Sequence, residues 1–393
     1  MDSSNESKCV IGIAICDSVK MKAASAHARK QFYCLLRNGS SVECLERCLF
    51  ITKAEKTVDS KRLIQVKKKK ATLGGPCKAP IKVQLQGTLQ APADPSGFKD
   101  GDGWVTFESI DGLNLAGGGT FDGQGQAVWG KHCKQTKYCS KLPINIRFNY
   151  VTNSLIRDII SRDSKQFHVN VFGSQNVTFS RVSVIAPENS PNADGIHVGR
   201  SIGIKITDTT IQTGDDCISL GDGSKKITVT KVTCGPGHGI SVGSLGKYQN
   251  EEAVEGVIVK NCTIKNTKNG VRIKTWPDSL DGLASNMNFE DIIMENVGNP
   301  VLIDQEYCPG NLCNGKVPSR VKISDVSFEN IRGTSTTALA VKLACGNGYP
   351  FQNVEIADID LKYSGREGPI TSQCKNVKPK ITGKHNPTPR TNN

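Results

Sequence analysis

Four short segments of this 393-residue chain bring together side chains that can do acid–base chemistry on a sugar. They are Asn192-Ala193-Asp194-Gly195, Gly214-Asp215-Asp216-Cys217, Gly237-His238-Gly239 and Arg272-Ile273-Lys274. Cleaving a glycosidic bond takes one carboxylic acid to protonate the leaving oxygen and a second carboxylate to work on water or on the sugar. Three aspartates held close together repel one another, so at least one is expected to keep its proton near the working pH. His238 can tune or share that proton. Arg272 and Lys274 flank Ile273, so on a strand both point the same way, where they can pair with substrate carboxylates. Asp215 and Asp216 are adjacent and cannot both face one side of a regular strand. A bend at Gly214 or a local bulge must re-aim one of them, or one is structural.

Each segment alone is an ordinary surface feature; what matters is what places them together. A small pattern, apolar–any–polar–apolar or small, recurs along the chain. It occurs at Ile156–Ile159, Phe179–Val182, Ile206–Thr209, Val229–Val232, Val259–Cys262, Phe289–Ile292, Ile323–Val326 and Ile356–Ile359, at intervals of 23 to 34 residues. Each is a short β-rich run, and turn-forming residues follow it. Strands returning at this interval, with no helical periodicity between them, predict an all-β solenoid, a parallel β-helix whose coils stack about 4.8 Å apart. An antiparallel sandwich would need hairpin turns between successive runs, and the two Asn-Gly pairs, at Asn38 and Asn269, do not recur that way. Asp194, Asp215, His238 and Arg272 follow their runs by 15, 9, 9 and 13 residues, which puts them in a similar sector of four successive coils.

Composition sets the boundaries. Aromatic residues are only 6% while glycines number 39, as expected for many short strands and tight turns. The formal net charge is +13, of which residues 1–70 carry +8, from 15 Lys/Arg and 7 Asp/Glu. A basic chain suits acidic partners. The Lys67–Lys70 run lacks interleaved aromatic residues and predicts no nucleic-acid role. Nothing is long and apolar enough to span a membrane. Fifteen cysteines, an odd count, and Asn-X-Ser/Thr sequons at Asn5, Asn38, Asn176 and Asn261 predict an oxidising, secretory route and a glycoprotein. The apolar run Cys9–Cys16 is short, is followed by Asp17 and lacks a preceding basic region, so it does not read as a signal peptide. The expected division is an atypical N-terminal segment over 1–73, a β-helix over 74–384 and a loose tail over 385–393.

The four segments resemble those of the polygalacturonases, glycoside hydrolase family 28, and in character the plant exopolygalacturonases of pollen. The resemblance runs from Gly75 to Thr388 and includes Gly75-Pro76-Cys77-Lys78, Gly87-Thr88-Leu89-Gln90-Ala91-Pro92 and Gly117–Gly125. It implies a right-handed parallel β-helix and a secreted, monomeric, exo-acting, inverting hydrolase of polygalacturonate in the plant cell wall, without metal or cofactor. It implies that Asp215 is the general acid, that Asp194 and Asp216 hold and activate water, and that His238 is the active-site histidine. By the same resemblance Arg272, Lys274 and Tyr307 bind substrate, Asn192 contributes to the groove floor, and Cys217–Cys234, Cys308–Cys313 and Cys345–Cys374 are disulfides. Two departures stand out: Ala193, where the family usually has threonine, and residues 1–73. Two further readings use the same residues: a calcium-dependent pectate lyase on the same fold, and a non-catalytic pectin-binding β-helix.

Overall fold

The computed structural model describes residues 9–12, 42–43 and 70–392, apart from 100, 133–141, 312 and 364. Its described strands form two long sheets, one of sixteen strands and one of thirteen, and every pairing between them is parallel. Neighbours within each sheet come from successive passes of the chain. Parallel crossovers of this kind wind right-handed, so the architecture is a right-handed parallel β-helix. No antiparallel pair occurs among the described residues, which excludes the sandwich. One short helix, α1 (Gln126–His132), interrupts the coils.

The recurring sequence pattern is a crease rather than a plain strand. Its third residue has a left-handed backbone in every coil: Asp158, Arg181, Asp208, Lys231, Asn261, Asp291 and Asp358 have φ between 49° and 54°. That single residue turns the chain so that apolar neighbours three apart both enter the core. Ile156 and Ile159 are 0% and 1% exposed, and Val229 and Val232 match them. Asn and Asp tolerate this conformation best, because their short side chains bond locally.

One repeat differs from the sequence expectation. Phe289 pairs with Phe328, and Phe328 with Ile356, whereas Ile323 pairs with Ala284. The crease of that coil is therefore Phe328-Glu329-Asn330-Ile331, with Asn330 at φ 51°. Ile323–Val326 belongs to a second crease, stacked with Asn286 and Asn353, where Asn353 donates to Asp325 at 2.9 Å. The local pattern is the same at both creases, and only register tells them apart.

Between the sheets, same-position side chains stack along the axis. Phe107 lies on Phe148 at 5.3 Å, and Phe289 on Phe328 at 5.0 Å with rings 9° apart. The ends also differ from expectation. Cys9–Gly12 pairs with Ile81–Gln84, and Val42–Glu43 with Ala71–Gly74, so coil pairing reaches back before residue 74. The rest of the N-terminal segment lies outside the described residues. The tail is not loose: Thr391–Asn392 pairs with Cys374 and Lys375, and the Ser372 hydroxyl accepts from Arg390 N–H and donates to the Thr388 carbonyl. Polar composition suggested a tail, but a strand needs only backbone partners.

Disulfides join Cys217 to Cys234 and Cys308 to Cys313, each with Cα atoms 5.8 Å apart. The expected third pair is a correction: Cys345 and Cys374 are both buried and free. Register sets Cys374 opposite Leu343, so Cys345 is only its diagonal neighbour, and diagonal positions exceed the usual span of a disulfide.

Two substitutions test this account. Lys231→Asn should raise stability by about 1 kcal/mol by relieving a left-handed lysine, and Phe289→Ala should lower it by about 3–5 kcal/mol through a core cavity. Urea denaturation monitored by fluorescence measures both; a neutral Phe289→Ala would contradict the stacked core.

Candidate active site

The chemistry-bearing residues sit along one face of the thirteen-stranded sheet. Six consecutive strands form that face: β1 (Val169–Phe172), β2 (Ile196–Gly199), β3 (Ile218–Leu220), β4 (Ile240–Leu245), β5 (Asn269–Thr275) and β6 (Asn299–Asp304). Val169, Ile196, Ile218, Ile240, Val271 and Val301 align in register and are buried in the solenoid. Alternation then turns the next residues outward: Asn170, His197, Ser219, Ser241 and Arg272.

Asp194, Asp215, Asp216 and His238 lie in the bends that lead into β2, β3 and β4. The bends are stacked as tightly as the strands: Gly195 N–H donates to the Asp216 carbonyl at 2.9 Å, Cys217 N–H to Gly239 at 2.8 Å, and His238 N–H to Asp215 at 2.8 Å. Because Asp215 and Asp216 precede the strand, the alternation rule does not divide them between faces. The bend itself depends on Gly214, whose N–H donates to the Ser190 hydroxyl. A Cβ there would lie 2.2 Å from the Ser190 carbonyl oxygen.

Asp216 is the centre of the cluster and only 1% exposed. Its Oδ1 accepts from Arg272 Nη2 at 2.8 Å and from the Ser241 hydroxyl at 2.8 Å, and its Oδ2 accepts from Lys274 Nζ at 2.7 Å. Arg272 and Lys274 do face the groove together, as alternation requires, but both are engaged by a protein carboxylate. Asp194 is buried one coil away and accepts from the Ser219 hydroxyl at 2.6 Å. Asp215 is the open one, its side chain 27% exposed. Its Oδ1 takes both the Asp216 N–H, at 2.8 Å, and His238 Nδ1, at 3.0 Å. Tyr307 covers the cations, its ring 5.8 Å from the Arg272 guanidinium and 5.2 Å from Lys274 Nζ, with Trp276 edge-on at 5.8 Å. Asn192 is half-buried in the turn before Asp194, with φ 50°. Ala193 is fully buried, and its carbonyl accepts from the Thr213 hydroxyl.

Residues 51–385 match the model of glycosyl hydrolases family 28. The chain belongs to glycosyl hydrolase family 28. It is 59% identical over 318 residues to an exopolygalacturonase of Oenothera organensis, covering 80% of this chain and 88% of that one. It is 57% identical over 321 residues to a polygalacturonase of Gossypium hirsutum, covering 81% and 78%. In fold it is similar to the polygalacturonase from Erwinia carotovora ssp. carotovora, with a TM-score of 0.61, 24% identity and coverage of 82% and 91%. The endo-xylogalacturonan hydrolase from Aspergillus tubingensis gives a TM-score of 0.66 at 24% identity, covering 78% and 88%.

Within this family 28 site the three carboxylates have different electrostatic fates. Burial pushes the Asp194 carboxyl well above the ordinary range, and the charges of Asp215 and Asp216 push it further. Burial works the same way on Asp216, but Lys274 and Arg272 outweigh it and hold that carboxyl down at about 2. So Asp194 is the proton-retaining member and Asp216 the permanent anion. Burial, and next the charge of Lys274, press His197 down to about 4, which keeps it neutral. Burial pushes the Tyr307 phenol up to about 12.

Three of these side chains had no place in the sequence reading. His197 Nδ1 lies 2.8 Å from the Ser219 hydroxyl, which in turn donates to Asp194, and Ser241 bridges Asp216 and Arg272, whose Nε donates to it at 3.1 Å. A signal for them existed. Asp194-x-Ile-His197, Asp216-x-Ile-Ser219, His238-x-Ile-Ser241 and Asn269-x-Val-Arg272 share one spacing. The first residue marks the bend, the third the core and the fourth the groove.

A divalent cation fits poorly. One donor atom each from Asp215, Asp216 and His238 lies within 4.8 Å of the others, yet both oxygens of Asp216 are already bonded to cationic side chains. A further positive charge there is opposed by Coulomb repulsion, which disfavours the calcium-dependent lyase reading.

The opposite shifts of Asp194 and Asp216 predict opposite stability effects. Asp194 has a raised folded-state pKa, so its contribution falls as pH rises through that value. Asp194→Asn should therefore raise Tm near pH 7, by roughly 2–4 °C per kcal/mol relieved, with a gain that shrinks toward pH 4. Asp216 has a lowered pKa, so its contribution is present above about pH 4 and fades toward pH 2. Asp216→Asn should cost about 3–5 kcal/mol at neutral pH by leaving two cations unpaired. Thermal melts between pH 3 and pH 8 check both, and equal shifts at every pH would contradict the assignment.

Proposed function

We propose that this chain is a polygalacturonase that hydrolyses α-1,4-galacturonosyl linkages of polygalacturonate and pectin, acting from the chain end with inversion. The observation that carries the reading is three aspartates and a histidine beside two cations in one open groove, in a chain more than half identical to plant polygalacturonases. The substrate is a polyanion, and Arg272 retains Nη1 and Lys274 retains ammonium protons beyond those given to Asp216, for a uronate carboxylate.

Asp215 is the proton donor in this reading. It is the exposed carboxyl of the three, and both of its contacts fall on Oδ1, which leaves Oδ2 for the leaving oxygen. Its proton passes to the glycosidic oxygen as the bond to the anomeric carbon breaks. Asp194 and Asp216 hold a water between them; Asp216, the anion of the pair, takes a proton from it as the new carbon–oxygen bond forms. Asp216 has both oxygens bonded to cationic side chains, which makes it a poor nucleophile and leaves water as the attacking group. Attack on the face opposite the departing sugar inverts the anomeric centre. His238, 3.0 Å from Asp215, orients the acid and returns a proton from solvent after turnover. Asn192 contributes to the groove floor and Tyr307 to the sugar platform.

Secretion to the cell wall and a monomeric state complete the proposal. Two sequon asparagines, Asn176 and Asn261, are exposed on the creases of the coil, where a glycan has room; Asn5 and Asn38 lie outside the described residues. No described helix is long and apolar enough to cross a membrane. The Ala193 methyl replaces no acid or base, so it does not by itself favour a non-catalytic reading.

Asp215→Asn should cut galacturonate release by about 10²–10⁴-fold while leaving Tm nearly unchanged, as judged by a reducing-sugar assay on polygalacturonate. Release at the wild-type rate would remove Asp215 from its role. Early products separated by anion-exchange chromatography should be monomer alone, with the β-anomer formed first by proton NMR. A ladder of oligomers would show internal cleavage, and the α-anomer would show retention.

A further inference from the structure

The groove does not end at the catalytic cluster. On the flank occupied by Asp215 and His238, the stacked bends continue through Lys268 and Asn299. Lys268 N–H donates to the Gly237 carbonyl at 2.9 Å, and Asn299 N–H donates to the Lys268 carbonyl at 3.1 Å. The Asn299 side chain bridges that same carbonyl and Asn269 Oδ1, and the Asn269 amide donates to the His238 carbonyl at 3.3 Å. This hydrogen-bonded bracket fixes the backbone of Lys268 to the catalytic histidine's bend. A cleft of about 710 Å³ runs along it, from Gly214 and His238 past Lys268 to Asn299 and Thr337.

The charge in that cleft is uneven. Arg272 and Lys274 both bond Asp216, and the donors they have left face the sugar at the catalytic cluster. Lys268 is exposed, and no acid among the described residues pairs with it. It is the sole lysine or arginine among the described residues lining the cleft, and the one acidic residue among them, Glu188, lies beside Gly214. At one coil per about 4.8 Å, Lys268 stands roughly 10 Å along the axis from Asp215. That is beyond the sugar undergoing cleavage and within reach of a neighbouring unit.

We propose that Lys268, held by the Asn269–Asn299 bracket, forms a subsite for the free carboxylate of a galacturonate unit beyond the scissile bond and there discriminates acid from methyl ester. This rests on the polygalacturonase reading. The remaining lining is amide, hydroxyl and backbone, which suits sugar hydroxyls. One mobile cation on a polar wall recognises charge without demanding a fixed ring orientation.

Titration calorimetry with the Asp215→Asn protein tests it without turnover. In that background Lys268→Gln should weaken trigalacturonate binding by roughly 10- to 150-fold, the range for one charge-assisted hydrogen bond, and should weaken digalacturonate less. The difference should narrow at high salt, and a fully methyl-esterified trimer should bind both proteins alike. Lys231→Gln, the same charge change on the other sheet, should leave trimer affinity unaltered. Equal trimer affinity with and without Lys268, or equal loss for dimer and trimer, overturns the subsite while the polygalacturonase reading stands. No binding of any galacturonate oligomer by Asp215→Asn overturns both.

Discussion

The register between neighbouring coils is the constraint on which everything at the site depends. Parallel strands can pair in more than one register, and here Ile196, Ile218, Ile240 and Val271 select one by filling the same core position. A slip of one residue would exchange core and groove side chains all along the face. With the register held, Asp194, Asp216 and His238 occupy matching bends, and Ser219, Ser241 and Arg272 matching outward positions. Residues far apart in sequence meet: Arg272 and Asp216 are 56 residues apart and 2.8 Å from contact atom to contact atom.

From that geometry the electrostatics follow. Bringing three carboxylates into one partly buried cluster is unfavourable, and two devices offset it. Lys274 and Arg272 hold Asp216 as an anion, while burial and the charges of Asp215 and Asp216 push Asp194 toward its protonated form. The resting cluster thus holds one carboxyl biased toward its proton, one held as an anion and one open to the groove, three environments for three neighbouring aspartates. A neutral His197 and the Ser219 hydroxyl support Asp194 without adding charge. The arrangement strains the fold in favour of chemistry, as is common where function needs unfavourable neighbours.

The solenoid that bears this cluster is shaped by its creases. A left-handed residue at each coil lets apolar side chains three apart share one core, and asparagine or aspartate does this at most coils. Two such creases run down the larger sheet with the same local pattern. That explains why Ile323–Val326 passed for a member of the first series when it belongs to the second. It also explains the sequon asparagines Asn176 and Asn261: residues suited to the turn stand exposed along an edge.

Much was legible in the chain itself. Apolar–x–polar–apolar runs at regular intervals implied stacked coils, and three aspartates, a histidine and two cations in matching sectors implied glycoside chemistry, because residue type and spacing alone encode those. The pairing of Cys345 with Cys374 failed because disulfides depend on register, which sequence does not state. The strand at Thr391–Asn392 was hidden because backbone hydrogen bonds leave no mark on composition. Only the tertiary structure decided that Arg272 and Lys274 hold Asp216, that Asp194 is pushed toward its protonated form, and that His197, Ser219 and Ser241 brace the cluster. Those outcomes depend on burial and on distances of under 3.2 Å across coils, and a linear chain carries neither.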